Sequence, residues 1–431
     1  APAVRAMNRV FGRFSTPWRY SGNNDPNKLP PAQQAAAYAW LSRGLEEALL
    51  AYLAQAKDSS YALHAAVYEF QKPNLLQGLK DALDRGAEVK VVYHYRKAGP
   101  KDDTWSKNAA AAHAAGRDPV CVQRKANPQS GIMHDKFVVL LHNNSPVAVW
   151  TGSTNWTEGA IYGQLNVGQG LYDANTAKVY ENYFQLLHAD PLAQPLKSAL
   201  SALTPVPAAV PAGPGIWPIF SPQSNTKMLD LYATVCSGAK SLMVCAPFEL
   251  AQQILRTFDH VPQGVLHYIL ADKNASLGPD QEEKVIAGDT GNIVSVATTL
   301  SNPLHDFQNK LLEGKESYHH AGVHIHSKII AADPLGPDPI IVMGSANFSN
   351  GSTLTNDSNS LIIRGNTAVA DIYTTEFMRM FEHYLFRGTV AQKQQTNQTF
   401  NLSEDDTWSA RFYQAGSNLA LSRQLFAGTA S

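Results

Sequence analysis

The stretch Gly131–Asn155 reads GIMHDKFVVLLHNNSPVAVWTGSTN. Two apolar runs, FVVLL and VAVW, flank the polar turn HNNSP, which is the pattern of two strands joined as a hairpin. His134 and Lys136 are two positions apart, and successive strand side chains alternate between faces, so both point to one side. The second run ends in a small-residue turn carrying Gly152, Ser153 and Asn155. The hairpin therefore predicts an imidazole, an ammonium, a hydroxyl and an amide gathered at one end of a sheet. Together they supply the hydrogen-bond donors and the positive charge that suit a phosphate.

The segments before the hairpin set its context. Residues 1–31 are rich in aromatics, Gly, Pro and Asn and read as an irregular arm. From Gln33 to Lys57, Tyr38, Leu41, Leu45, Leu49, Tyr52 and Leu53 recur at helical spacing. Tyr61–Phe70 then reads as a strand, Asn74–Arg85 as a helix with Gly86 as its stop signal, and Glu88–Tyr95 as a buried strand. This is a βαβ unit, which predicts a mixed, largely parallel sheet covered by helices. After the hairpin, Asn175–His188 reads as a helix with Asn175 at its N-cap. Eight prolines then crowd positions 191 to 222, so a domain boundary is expected there, with 204–223 as a linker.

Beyond the boundary the order recurs. Thr226–Ala239 reads as a helix, Ser241–Phe248 as a strand, Ala251–Phe258 as a helix and Gly264–Ala271 as a strand. Then Gly322–Asn347 reads GVHIHSKIIAADPLGPDPIIVMGSAN. His326 and Lys328 repeat His134 and Lys136, while Gly344, Ser345 and Asn347 repeat Gly152, Ser153 and Asn155. In each copy 18 positions separate the histidine from the glycine, and the copies lie 192 positions apart. One HxK pair on a strand is commonly a solvated edge. Two copies at equal spacing, each inside the same helix–strand series, point to a duplicated α/β unit. The expected division is 32–203 for the first half and 224–431 for the second, with a C-terminal extension.

Composition restricts the partners. Of 431 residues, 44% are hydrophobic and 16% charged, a globular balance with enough apolar surface for two cores. Thirty-five basic against 36 acidic side chains leave no overall cationic field to capture nucleic acid non-specifically. Cys121, Cys236 and Cys245 are odd in number and lack metal-ligand spacing, so they read as buried thiols and no metal or other cofactor is expected. No run reaches a membrane-spanning length. The APA start fits residues that follow a signal-peptidase cut, so an exported protein is the expectation.

The duplicated pattern resembles that of the phospholipase D superfamily, HxKxxxxD followed by GSxN. The second copy fits throughout with His326, Lys328, Asp333, Gly344, Ser345 and Asn347; the first has Leu141 where the aspartate belongs. The resemblance runs over residues 35–388 and implies two fused α/β/α sandwich halves related by a pseudo-twofold, with one active site between them. One chain then suffices, and a monomer is expected. It also implies that one histidine attacks phosphorus to give a phosphohistidine while the other protonates the leaving oxygen and later activates water or an alcohol. The first-motif histidine is more often the nucleophile in this family, which assigns attack to His134 and acid/base work to His326. Lys136, Lys328, Asn155 and Asn347 would surround the non-bridging oxygens, with Ser153 and Ser345 adding hydrogen bonds.

A second departure concerns the carboxylate that the family places about eleven residues after the GSxN asparagine to orient a histidine. Asn166 stands there in the first half and, allowing one inserted residue, Asn359 in the second; both are expected to act as neutral orienters. His319, His320 and His324 read as a solvated loop, and Glu69 and Glu249 as strand-end carboxylates near the site. The segment Trp408–Gln414 reads as a closing element on the second half. A phosphodiester substrate follows, with phospholipid favoured by the neutral charge and fused architecture. Nucleic acid is the alternative; Arg124 and Lys125 are the slender basic feature for it. A non-catalytic phosphate-binding protein is the third reading, motivated by Leu141.

Overall fold

A computed structural model describes residues 30–97, 99, 102–126, 131–259, 261–273, 291–297, 323–395 and 405–429. Residues 1–29 of the expected arm and the pair His319 and His320 lie outside these residues.

Two sheets carry the molecule. The first contains β1 (Tyr61–Val67), β2 (Glu88–His94), β3 (Cys121–Arg124), β4 (Lys136–His142), β5 (Ser145–Gly152) and β6 (Gly168–Leu171), in the order β3-β2-β1-β4-β5-β6. The second contains β7 (Gly215–Ser221), β8 (Ser241–Ala246), β9 (Leu266–Ala271), β10 (Asn292–Val296), β11 (Ile329–Ala332), β12 (Ile340–Gly344) and β13 (Ser358–Arg364), in the order β10-β9-β8-β11-β12-β13-β7. Both are mixed. Parallel pairing joins β1 to β2, β2 to β3, β8 to β9 and β9 to β10; every other pairing is antiparallel. The parallel share is thus smaller than the βαβ reading predicts, because each motif hairpin and the strand after it add antiparallel ladders.

Three apolar clusters define the layers. Leu49, Leu53, Leu75, Leu79 and Trp150 fill the outer face of the first sheet, and Leu229, Tyr232, Ile254 and Phe258 that of the second. The third cluster is shared: Phe137, Tyr180 and Phe184 pack with Phe220, Tyr268, Ile329 and Phe377 between the inner faces of both sheets. Two α/β/α sandwiches therefore share a core, and burying that apolar surface fixes one half against the other.

Local chemistry explains where elements begin and end. Asn143 and Asn144 both adopt positive φ, of 50° and 60°, giving the two-residue turn whose twist suits the β4–β5 hairpin. The first helical stretch is broken: Arg43 (φ 52°) and Gly44 (φ 90°) separate helices Pro31–Ser42 and Leu45–Leu53. Helix Ala174–His188 is capped by Asp173, whose side chain accepts from Thr176 N, not by Asn175. Part of the expected linker is structural, because Gly215–Ser221 forms edge strand β7; an edge tolerates Pro218 and Trp217 alike. Trp408–Gln414 falls largely in a 3₁₀ turn (Thr407–Phe412), followed by helix Asn418–Phe426, whose Ser422 Oγ accepts from Tyr268 OH at 2.7 Å. Among the described residues no helix is long and apolar enough to cross a membrane.

Candidate active site

The two motifs meet where the sheets' inner ends abut. Chain pairing across this seam is reciprocal: Met133 bridges Asp357 and Leu165 bridges Ile325. His134 N donates to Asp357 O at 2.7 Å, and His326 N donates to Leu165 O at 2.9 Å. Each histidine is thus held by backbone of the opposite half. Leu165 and Asp357 are themselves 192 positions apart, so the pseudo-twofold extends beyond the motifs.

The imidazoles lie edge to face with ring centroids 6.2 Å apart, both buried. Lys136 Nζ donates to His134 O at 2.5 Å and Lys328 Nζ to His326 O at 2.5 Å, so both ammonium groups converge on the histidines. Tyr68 flanks His134 at 5.3 Å between centroids, and Phe248 flanks His326 at 6.2 Å. The GSxN glycines are required by close approach: a Cβ would stand 2.2 Å from Val167 O at Gly152 and 2.2 Å from Asn359 O at Gly344. Ser153 and Ser345 then repeat one arrangement, Val167 N donating to Ser153 Oγ at 3.1 Å and Asn359 N to Ser345 Oγ at 3.0 Å.

Electrostatics follow from burial. Burial, then Lys136, Lys328 and His326, hold His134 well below the ordinary histidine range. Burial, then Lys328 and Lys136, do the same to His326. Both imidazoles are neutral near pH 7, as a nucleophile requires. Burial and its neighbour Lys136 likewise hold Lys328 well below the usual lysine range. Two crowded, poorly solvated ammonium groups are relieved by an anion between them. Asn155 Oδ1 and Asn347 Oδ1, also equivalent, are buried without a hydrogen-bond partner among the described residues.

His326 has a defined tautomer. Its Nδ1 lies 3.0 Å from Ser153 O and 2.9 Å from Asn166 Oδ1. Asn166 Nδ2 donates to Ala160 O at 2.9 Å, which turns the amide oxygen toward the ring. Facing two acceptors, Nδ1 carries the hydrogen and Nε2 is left for chemistry. Asn166 is therefore within hydrogen-bond distance of a motif histidine.

Asn359 is not. Its Oδ1 accepts from Thr151 Oγ1 at 2.7 Å and Tyr180 OH at 3.1 Å, and its Nδ2 donates to Asp135 Oδ1 at 2.7 Å. The inserted residue assumed in that alignment does not exist: a constant offset of 192 maps Asn166 onto Ser358 and Val167 onto Asn359, as the matching contacts of Gly152 and Gly344 require. Asn359 instead ties the second half to Asp135, a buried carboxyl that also accepts from Tyr183 OH at 2.8 Å and that burial pushes up to about 7.

Asp333 also lies outside the site. At φ 48° it accepts through Oδ1 from Lys240 N and Ser241 N, both at 2.8 Å, and fastens the start of β8 to the end of β11. In the first half that fastening is made by the ladder itself, which continues to the Tyr61–His142 pair, with Asn143 N donating to Ser60 O at 2.7 Å. Leu141 is thereby free to fill the shared core. Asp333→Ala is expected to cost about 2 kcal/mol of stability, from lost hydrogen bonds and a left-handed alanine, while Asp333→Asn costs little. Denaturant melts and turnover per folded molecule check this; a collapse of turnover in folded Asp333→Asn would return this residue to the site.

Other expected residues sort as follows. Glu69 is brought beside Lys136 and Asn155, and burial raises its pKa; Glu249 is exposed. His324 offers its backbone N to Asp272 Oδ1 at 2.7 Å. Arg124 is not part of a basic track: it is fully buried, with Nε donating to Asp357 Oδ2 at 2.9 Å and a second nitrogen to Asp190 Oδ1 at 2.7 Å. Asp135, Asp357 and Ser358 escape a motif reading because each differs from its partner at the 192 offset, Ser327, Leu165 and Asn166. Among the described residues no group of three or more His, Cys, Asp or Glu could hold a metal ion. Cys121, Cys236 and Cys245 are free thiols.

Two duplicated α/β halves thus share one paired His/Lys centre. A family model described as the cardiolipin synthase, phospholipase D-like domain matches residues 49–188. Over those residues the chain is similar to that domain. The fold is similar to that of phosphatidylserine synthase from Haemophilus influenzae Rd KW20, with 13% identity over 80% of this chain and 85% of that one and a TM-score of 0.55. It is also similar to polyphosphate kinase from Porphyromonas gingivalis, with 10% identity over 77% of this chain and 45% of that one and a TM-score of 0.50. No curated protein sequence matches the chain.

Proposed function

We propose that the protein cleaves or transfers a phosphodiester of a phospholipid through a phosphohistidine formed on His134. The observation that carries this reading is the pair of buried imidazoles, 6.2 Å apart between centroids, between two converging lysines. A phosphate placed there has one imidazole on each side. The bound phosphate anion favours uptake of a solvent proton at His326 Nε2; His134 Nε2 then forms the N–P bond as the P–O bond to the leaving group breaks, and that oxygen takes this proton. Water or an alcohol then gives its proton to His326 as its oxygen bonds phosphorus and the N–P bond breaks. Lys136 and Lys328 offset the charge that develops on the non-bridging oxygens, and Asn155 and Asn347 supply amide donors beside them.

The chemistry is supported better than the substrate. For phospholipid stand the family description, which names a cardiolipin synthase, and the aromatic walls, Tyr68 beside His134 and Phe248, 41% exposed, beside His326. A mouth partly walled by rings accommodates acyl or glycerol surface. Burial of Arg124 leaves only the exposed Lys125 of the basic pair that favoured nucleic acid. The test is to incubate the protein in EDTA with choline and ethanolamine phospholipids plus a primary alcohol, and separately with single-stranded and duplex DNA and RNA. Head-group release with alcohol exchange is expected. Cleavage of nucleic acid alone would replace the lipid reading, and no turnover of either would support a phosphate-binding protein.

A further inference from the structure

The pseudo-twofold relates the histidines, lysines and GSxN residues of the centre but not the acceptor behind each ring. Behind His326 stand Ser153 O and Asn166 Oδ1, both within hydrogen-bond distance of Nδ1. Behind His134 the equivalent groups are Ser345, whose backbone lies beside the ring, and Ser358. A serine hydroxyl oxygen lies one bond nearer the backbone than an asparagine amide oxygen, and it does not reach. Among the described residues Ser358 Oγ is buried without a hydrogen-bond partner and no side chain bonds His134 Nδ1, which leaves that ring the backbone of Ser345 alone. The shortfall is local. Ser358 sits in β13, and its backbone is fixed by pairing with Ser221 of β7 and by Asp357, its neighbour in sequence, which is clamped to Arg124.

We infer that the Asn166/Ser358 difference assigns the roles of the two histidines: Asn166 makes His326 the proton carrier, and the short Ser358 leaves His134 as the neutral nucleophile. The inference rests on the phosphohistidine reading above. An imidazolium donates from both nitrogens, so it is stabilised more where Nδ1–H meets a backbone oxygen and a fixed amide oxygen than where it meets backbone alone. Each ring has the other histidine and both lysines as neighbours, so these groups do not distinguish the two. Tyr68 also stands against His134, and the carboxyls of Glu69 and Asp135 act on Lys136. Two histidines of similar sequence context thus differ in basicity because one strand carries an amide and the other a hydroxyl. Ser358 and Asn166 act through the rings and are positioning residues.

The test uses the full chain and bis(4-nitrophenyl) phosphate as a soluble phosphodiester probe. Rapid alkaline quenching and peptide mass mapping locate the phosphoryl adduct, and the pH profile of kcat/KM reports the free enzyme's base and acid. In the natural chain the adduct is expected on His134. Ser358→Asn supplies the missing acceptor and should raise the acidic limb by about one pH unit, while Asn166→Ser should lower the alkaline limb by a similar amount. The double variant, which exchanges the two residues, should move part of the adduct to His326. An adduct found on His326 in the natural chain overturns the inference and leaves the phosphohistidine reading standing. No adduct on either histidine during turnover overturns both. Because the natural chain alone decides where the adduct lies, misfolding of a variant does not shelter the proposal. Variants that fold, judged by unchanged denaturant midpoints, and show unmoved limbs also overturn it.

Discussion

His134→Ala is expected to abolish turnover, with a loss of about 10⁵- to 10⁶-fold in kcat, the scale seen when a nucleophile in a concerted catalytic unit is removed. The imidazole is buried and held by backbone of the opposite half, and the main-chain contact His134 N to Asp357 O does not depend on its side chain. Alanine should therefore leave the fold intact. His326→Ala is expected to behave differently. With an activated leaving group such as 4-nitrophenolate no acid is needed, so His134 can still attack; what is lost is activation of water. A first turnover followed by an accumulated adduct should result, read as a burst of 4-nitrophenolate. Retention of most of the rate by His134→Ala would refute nucleophilic attack by this residue.

The second large effect concerns stability. Arg124 and Asp357 form a fully buried ion pair that joins the first half to the second. Arg124→Met leaves the Asp357 carboxylate in a dry seam without its cation, which is expected to cost about 3–5 kcal/mol. The same aspartate's carbonyl holds His134 N, so activity should fall together with stability. Arg124→Met with Asp357→Asn should recover part of the loss, because no fully buried charge is left unpaired; Asp190, part-exposed, keeps the backbone N–H groups of Lys125 and Ala126. Denaturant titration of the single and double variants measures the coupling. Equal midpoints for natural and Arg124→Met chains would show that the seam does not depend on the pair.

How much of this could be read from sequence depends on whether a residue sits in the repeated pattern. His134, Lys136, His326, Lys328, the GSxN residues and the helix–strand order are legible because spacing preserves them in both copies. The hairpin turn at Asn143 and Asn144 is legible from turn chemistry, although not its two positive φ values. Asn359 offers an amide near the position of the family's carboxylate, but only with an inserted residue, whereas the constant offset of 192 leads to Ser358. Asp333 looked functional because it completes a motif, whereas its φ and its bonds to Lys240 and Ser241 make it a fastening. Arg124, Asp135 and Asp357 pair across more than 100 positions or sit where the halves differ, so neither periodicity nor repetition marks them. β7 was hidden by its prolines, which an edge strand tolerates and a central strand does not.

Glu69 follows the same lesson. Its carboxyl acts on the first lysine, and Phe248 occupies the corresponding end of β8. The two halves are equal in their histidines and lysines and unequal in what surrounds them. That inequality is what a single asymmetric reaction, with one attacking and one protonating group, needs from a symmetric scaffold.

The most direct measurement is the number of covalent adducts per chain. A rapid-quench experiment with bis(4-nitrophenyl) phosphate should give a burst of one 4-nitrophenolate per chain, matched by one phosphoryl adduct in the intact mass, because both motifs build one centre. Two adducts per chain would mean that the halves work as separate sites, and none during steady turnover would mean that phosphorus never bonds to a histidine.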